Sequence, residues 1–226
     1  FISKFNPDGT KEWTRIIGSS DNWDAARALT TGSDGSIYIA GDTQGNLDGQ
    51  THFHGNNYIN DYDAFISKFN PDGTKEWTRL LGSNGYDYAK SLTTGSDRSI
   101  HVVGYTRSDL EGQKNKGLTD AFISKFNPDS TREWIRLLGS TPSKLRPSDH
   151  RGGWEWAHAA TTGIDGTIYF AGATYSSDFG GILEGQTPIG SKDVFITKLI
   201  DLDKSVVTIS GTDSNDTLNG TTGNDN

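Results

Sequence analysis

The sequence predicts an all-β protein made of recurrent four-stranded antiparallel sheets, and three observations carry that reading. Phe-Ile-Ser-Lys-Phe-Asn-Pro-Asp opens at Phe1, Phe65 and Phe122 and returns altered, as Phe-Ile-Thr-Lys-Leu, at Phe195; self-similarity at this spacing marks a repeat architecture. Asp-centred turns punctuate the copies: Ser-Asp-Gly at 33–35, Ser-Asp-Arg at 96–98, Ile-Asp-Gly at 164–166, and Asn-Pro-Asp-Gly at 6–9 and 70–73. Between the turns, stretches such as 36–41 and 64–69 are apolar on both alternating faces, which a sheet wetted on one side would not be.

The copy from 88 to 138 shows the elements in order. A first strand over 88–96 meets a tight hairpin, and a second runs over 99–106. A third over 121–127 turns at Asn-Pro-Asp into a fourth over 131–138. In the related Asn-Pro-Asp-Gly turns, Pro presets φ and Gly supplies the positive φ of a bulged turn. Four-stranded sheets covered on both faces and fanned about an axis form a β-propeller, which leaves few exposed edges. By this reading residues 1–17 supply the last two strands of one blade, and 22–81, 86–138 and 155–210 form three more. Residues 1–203 are then propeller repeats, and 204–226 hold the last outer strand and a Gly/Asp-rich, β-roll-like tail. A closed ring is not contained, so further blades before Phe1, or self-association, are expected.

Asp-Ala-Phe-Ile-Ser-Lys, Asn-Pro-Asp-Gly, Trp and Leu-Gly-Ser, followed by Thr-Thr-Gly, Asp-Gly-Ser-Ile-Tyr and Ala-Gly, resemble the bacterial seven-bladed β-propeller (SBBP) repeat family over about residues 1 to 200. The resemblance implies a propeller and no single activity. Trp13, Trp77 and Trp134 occupy one repeat-equivalent site on the fourth strand and read as structural wedges between blades. They also resemble the tryptophan-docking repeats of quinone-dependent dehydrogenases, but the Thr-Gly-Lys spacing before the Trp is missing, so no organic cofactor is inferred.

Two further recurrences belong with the fold. Leu-acid-Gly-Gln returns at 47–50, 110–113 and 183–186; Asp48, Glu111 and Glu184 read as turn or docking residues in preference to a metal-holding ring. Asp24, Asp87 and Glu155 are each followed three residues later by a base, Arg27, Lys90 and His158. These are expected to compensate one another around the axis.

Specificity is expected where copies differ. In an up-and-down blade the long connections share one end, and unequal loops on a rigid scaffold are where binding is usually carried. That end holds Trp23, Tyr86, Tyr88, Trp154 and Trp156, the candidate ligand-binding set, with Tyr58, Tyr62, Tyr175, Asn56 and Asn57 nearby. Aromatic plates beside amides and carboxylates suit sugar rings. The segment 139–154, with Lys144, Arg146, His150 and Arg151, reads as a solvated insertion, and His52 with His54 as a surface loop.

Composition narrows the classes. A formal charge of −8 argues against nucleic acid, whose affinity rests on Lys and Arg neutralising phosphates. No apolar run approaches the roughly 20 residues of a membrane helix. Cysteine is absent, which removes disulfides and thiolate metal sites, and no catalytic elbow, zinc-protease motif or phosphate loop occurs.

From Gly211 the chain reads Gly-Thr-Asp-Ser-Asn-Asp-Thr-Leu-Asn and Gly-Thr-Thr-Gly-Asn-Asp-Asn, which resembles the RTX (hemolysin-type) calcium-binding nonapeptide. That resemblance implies calcium ligands at Asp216 and Asp225 once further repeats complete a roll, and export by type I secretion. The expected role is a non-catalytic extracellular or cell-surface scaffold or adhesion module that binds glycan or protein. The alternative is a carbohydrate-active enzyme with its site at the long-loop end or in blades outside this chain.

Overall fold

A computed structural model describes residues 1–20, 22–53, 61–140, 153–175, 183, 185–186, 189–190 and 192–199, and the backbone of 206–210. No helix occurs among them, and every paired strand is antiparallel to its neighbour. Strands β1 (Ile2–Phe5) and β2 (Lys11–Arg15) form a two-stranded sheet. β3 (Asp24–Thr31), β4 (Ile37–Thr43), β5 (Asp63–Phe69) and β6 (Lys75–Leu81) form the first complete blade. β7 (Asp87–Thr94), β8 (Ile100–Thr106), β9 (Asp120–Phe126) and β10 (Arg132–Leu138) form the second. β11 (Trp154–Thr162), β12 (Ile168–Tyr175), β13 (Asp193–Leu199) and β14 (Val206–Ser210) form the third.

First strands come together between sheets: β7 lies against β3 on one side and β11 on the other. The blades therefore converge on their first strands, and the protein is a β-propeller of four-stranded antiparallel blades. Backbone bonds pin the convergence, with Asp87 N donating to Tyr62 O at 2.6 Å and Glu155 N to Thr119 O at 2.8 Å.

The first two complete blades are covered on both faces, which is why β5 and β9 lack alternation; in the third blade β13 alternates, with Val194 and Ile196 exposed. In β5, Phe65 and Phe69 join Ile2, Trp13 and Ile39 in one cluster, while Ala64 and Ile66 join Val102, Phe122 and Phe126 in the next. A third cluster unites Val103 and Ile123 with Phe170 and Phe195. Every residue of β5 and of β9 is buried. Full burial of a Phe or Ile side chain contributes about 1.5–3 kcal/mol, so the seams between sheets hold most of the apolar stabilisation.

The hairpins follow their turn chemistry. Gly95 N donates to Ser99 O at 2.8 Å and Arg98 N to Gly95 O at 3.0 Å. That closure ends β7 at Thr94, two residues before the expected Ser96. The repeats at 32–36 and 163–167 close identically with Gly35 and Gly166 in the left-handed position. In the middle copy exposed Arg98 sits there at φ 68°. A left-handed residue with a Cβ costs about 1–2 kcal/mol, partly offset by the entropy glycine loses on folding. Arg98→Gly is therefore expected to stabilise by ~0.5 kcal/mol, a rise of about 1–2 °C in Tm. An unchanged or lower midpoint in a thermal melt would contradict this.

The tryptophan series spans the seams. Trp77 on β6 donates from Nε1 to Pro128 O, in the next blade's turn, at 3.0 Å and lies 6.1 Å from the ring of Tyr38. Trp13 is buried against Gly73 of the following blade, and Trp134 lies 5.9 Å from the ring of His101. The Leu-acid-Gly-Gln segments are tight turns plugged by buried Leu47, Leu110 and Leu183. Asp48 pairs with Lys75, and Glu111 with Arg132 at 2.7 Å, so each tethers its loop to its own blade's fourth strand. Glu184 lies outside the described residues.

Candidate functional site

The recurrent acids and bases on the first strands separate instead of compensating one another. The carboxylates turn into the seams. Asp24 accepts from Ser19 N at 2.7 Å and Ser19 Oγ at 2.9 Å. Asp87 accepts from Ser83 Oγ at 2.6 Å, and Glu155 from Ser140 Oγ at 2.6 Å and Thr174 Oγ1 at 3.0 Å. Burial pushes the carboxyls of Asp87 and Glu155 up to about 7, against the opposing pull of those hydroxyls. Neither residue has measurable surface. They hold the link between blades.

The bases occupy a different kind of position. The ladder between first and second strands skips one residue in each complete blade: Arg27 in β3, Lys90 in β7 and His158 in β11. Each is a β-bulge, which kinks a strand and re-aims the extra side chain. Opposite stand Gly41, Gly104 and Gly172, where an added Cβ would collide with the carbonyl oxygens of Ala25, Tyr88 and Trp156. Bulge and glycine are one device. The expected acid–base pairing fails because residues three apart on a strand point to opposite faces: Lys90 lies over Tyr88, two residues before it, on the face away from Asp87.

At the long-connection end the aromatic residues form a continuous arc. Tyr62 lies 5.1 Å from Tyr88 and 6.2 Å from Tyr86, and the rings of Tyr86 and Tyr88 are nearly parallel at 6.3 Å. Tyr88 meets Tyr105 at 5.0 Å, and Tyr105 meets Trp156 edge-on at 6.5 Å across the seam. Trp154 continues the row, 5.6 Å from Trp156 and 5.8 Å from Tyr175. All seven are half-buried. Cations sit over them: Lys90 Nζ lies 4.6 Å from Tyr88 and 5.2 Å from Tyr105, Arg107 5.1 Å from Tyr86, and Lys192 5.9 Å from Trp156.

Four of the five candidate ligand residues, Tyr86, Tyr88, Trp154 and Trp156, thus lie in one row. Trp23 stands apart, 78% exposed beside β3. Tyr105 joins the row unforeseen; its signal is the cross-strand pairing with Tyr88, visible only once the bulge fixes the register. Tyr58, Asn56, Asn57, His54, Lys144, Arg146, His150, Arg151, Asp216 and Asp225 lie outside the described residues.

His52 corrects an expectation. It is buried, with Nδ1 4.0 Å from Asp61 and Nε2 3.8 Å from Asp63, so this part of the segment is interior, drawn inward by carboxylates that open β5. Asp63 Oδ2 accepts from Phe53 N at 2.7 Å, which ties the same loop to the strand. Burial, with the charges of Asp87 and Asp61, pushes the Asp63 carboxyl up to about 8 although that bond pulls it down. Asp120 and Asp193 play the same part in the next blades, accepting from Lys116 N at 2.8 Å and Ile189 N at 3.1 Å.

Fold and site together define a repeat β-propeller with an aromatic, cation-bearing long-connection end. Residues 76–111 match the family model of the SBBP beta-propeller repeat. The regulatory protein FlaEY of Caulobacter vibrioides is 26% identical over 181 residues, which is 76% of this chain and 18% of that protein. An uncharacterized WD repeat-containing protein of Acanthamoeba polyphaga mimivirus is 27% identical over 88 residues, 34% of this chain and 6% of its own length. The chain therefore spans less than a fifth of either relative. Among solved structures, a catalytically inactive virginiamycin B lyase from Staphylococcus aureus with quinupristin is similar with TM-score 0.30 and 14% identity, over 96% of this chain and 75% of that one.

Proposed function

We propose that the chain is a non-catalytic scaffold module that binds a glycan along the aromatic arc. One observation carries the reading: seven half-buried rings run without a break from Tyr62 to Tyr175 over two blades and the end of a third. A row of π-faces of this kind stacks on the apolar faces of successive sugar rings while neighbouring polar groups meet the hydroxyls. The carbohydrate-active enzyme alternative needs carboxyls that meet substrate, and the strongly raised ones, Asp63, Asp87 and Glu155, are sealed inside the seams. In the same proposal Asp216 and Asp225 of the Gly/Asp-rich tail would ligate calcium only where further repeats complete a roll. Display outside the cell follows from that pattern, by export of type I.

A glycan array read beside a glycosidase substrate panel tests the role. Binding without turnover is expected. Trp156→Ala should weaken binding about tenfold or more, the scale of a lost base-stacking aromatic in single-strand binding proteins. Ile164→Ser, in the opposite-end hairpin, should leave it intact. Turnover of any glycan, or full binding by Trp156→Ala, would contradict the proposal.

A further inference from the structure

We propose, resting on the glycan reading above, that the three bulged bases Arg27, Lys90 and His158 form an anion-accepting ring beside the aromatic arc, and that the ligand is an acidic, carboxylate-bearing saccharide. A bulge fixes backbone geometry and requires a glycine opposite. It asks nothing of its own side chain. Yet the bulged residue is basic in all three complete blades, in a protein whose formal charge is −8. The fold therefore accounts for the position and not for the charge.

The charge cancels at Arg27 and not at Lys90. Asp42 Oδ1 accepts from Arg27 Nε at 2.7 Å and Oδ2 from Nη2 at 3.0 Å, so Arg27 takes up both its oxygens. In the next blade the position equivalent to Asp42 is Tyr105, and there Lys90 rests on two tyrosine faces with no carboxylate in ion-pair range among the described residues. Burial holds the Lys90 ammonium below its ordinary range; the Asp42 charge pulls it back up and the weaker Arg27 repulsion pushes it down. His158 is lowered in turn by burial and by the charges of Lys90 and Lys192. Burial of the Lys90 charge is a cost in the empty protein that Asp42 offsets only in part, and a bound anion relieves it. Lys90 lies against Tyr88 and Tyr105, and Lys192 over Trp156, so a sugar stacked there brings a ring carboxylate within their reach.

The test pairs oligomers of galacturonate, glucuronate and mannuronate with their methyl esters, which keep the sugar and remove the charge. For at least one pair the acid is expected to bind about tenfold or more tightly than the ester at low ionic strength, with the ratio shrinking as salt screens the ring. Lys90→Gln should bring the ratio toward one and Lys90→Arg restore it. Lys192→Gln, which removes the cation over Trp156, offers a second reading of the ratio should Lys90→Gln fold poorly. Acid and ester binding alike, or a ratio unmoved in the glutamine variants, would overturn the anion ring and leave the glycan reading standing. Failure of every acid and ester to bind would overturn the anion ring, and an empty glycan array besides would overturn both.

Discussion

Gly104→Ala is expected to destabilise the protein by about 3 kcal/mol or more, at the upper end of what overpacking a close-packed interior costs. Gly104 pairs with Ala89 beside the Lys90 bulge, and an added Cβ would drive into the Tyr88 carbonyl. That atom is backbone, fixed by the ladder on either side, so no rotamer change relieves the clash. The chain's one adjustment is to lose the bulge. Losing it shifts the register on one side of Lys90 by a residue and turns those side chains to the opposite face. Tyr88 would then part from Tyr105, and Ala89, fully buried in the seam with the preceding blade, from its cluster. Chemical denaturation measures the first effect. Loss of glycan binding in whatever folded fraction remains measures the second. A variant with the parent's midpoint would show that the bulge is not required.

That device marks where reading from sequence stops. The recurrent Phe-Ile-Ser-Lys and Asn-Pro-Asp-Gly segments made the sheets legible, because turn chemistry and two-sided apolarity are local properties. The hairpin at 95–99 kept its geometry even with Arg98 in the glycine position. Six of the seven members of the aromatic row were legible too, all but Tyr105, since they sit beside strand ends where copies differ. The bulges were not. Gly104 inside Val-Val-Gly-Tyr is the signal for a close backbone approach, but which residue of the neighbouring strand it opposes depends on a register that no local stretch determines. From that gap came the expectation that Asp87 and Lys90 compensate each other. His52 was misplaced for a related reason: its burial depends on Asp61 and Asp63, which reach it only after β5 joins the sheet.

The seam carboxyls make a second large effect expected: stability should fall as pH rises from about 6.5 to about 8. Asp63, faced by His52, Asp61 and Asp87, titrates near 8 in the folded protein, and Asp87 and Glu155 near 7; burial is the main cause in each. Unfolded, all three ionise near 4. The folded state thus holds protons that the unfolded state has released. The stability these groups contribute is complete below about pH 4 and is lost as pH climbs through their folded values. His101 works the other way. Burial and the Lys125 charge lower it to about 4, so its effect lies between about 4 and 6.5 and opposes the carboxyls there. Above 6.5 that opposition ends. Asp63 alone, releasing close to one proton, then gives a slope of about 1.4 kcal/mol per pH unit. Asp63→Asn keeps the acceptor for Phe53 N–H and removes the titration, so the variant should show a shallower decline and at least equal stability at pH 8. Denaturant midpoints at the two pH values decide it. A parent as stable at pH 8 as at 6.5, or a variant with the parent's slope, would mean that these carboxyls are ionised in the fold and that the seams tolerate their charge.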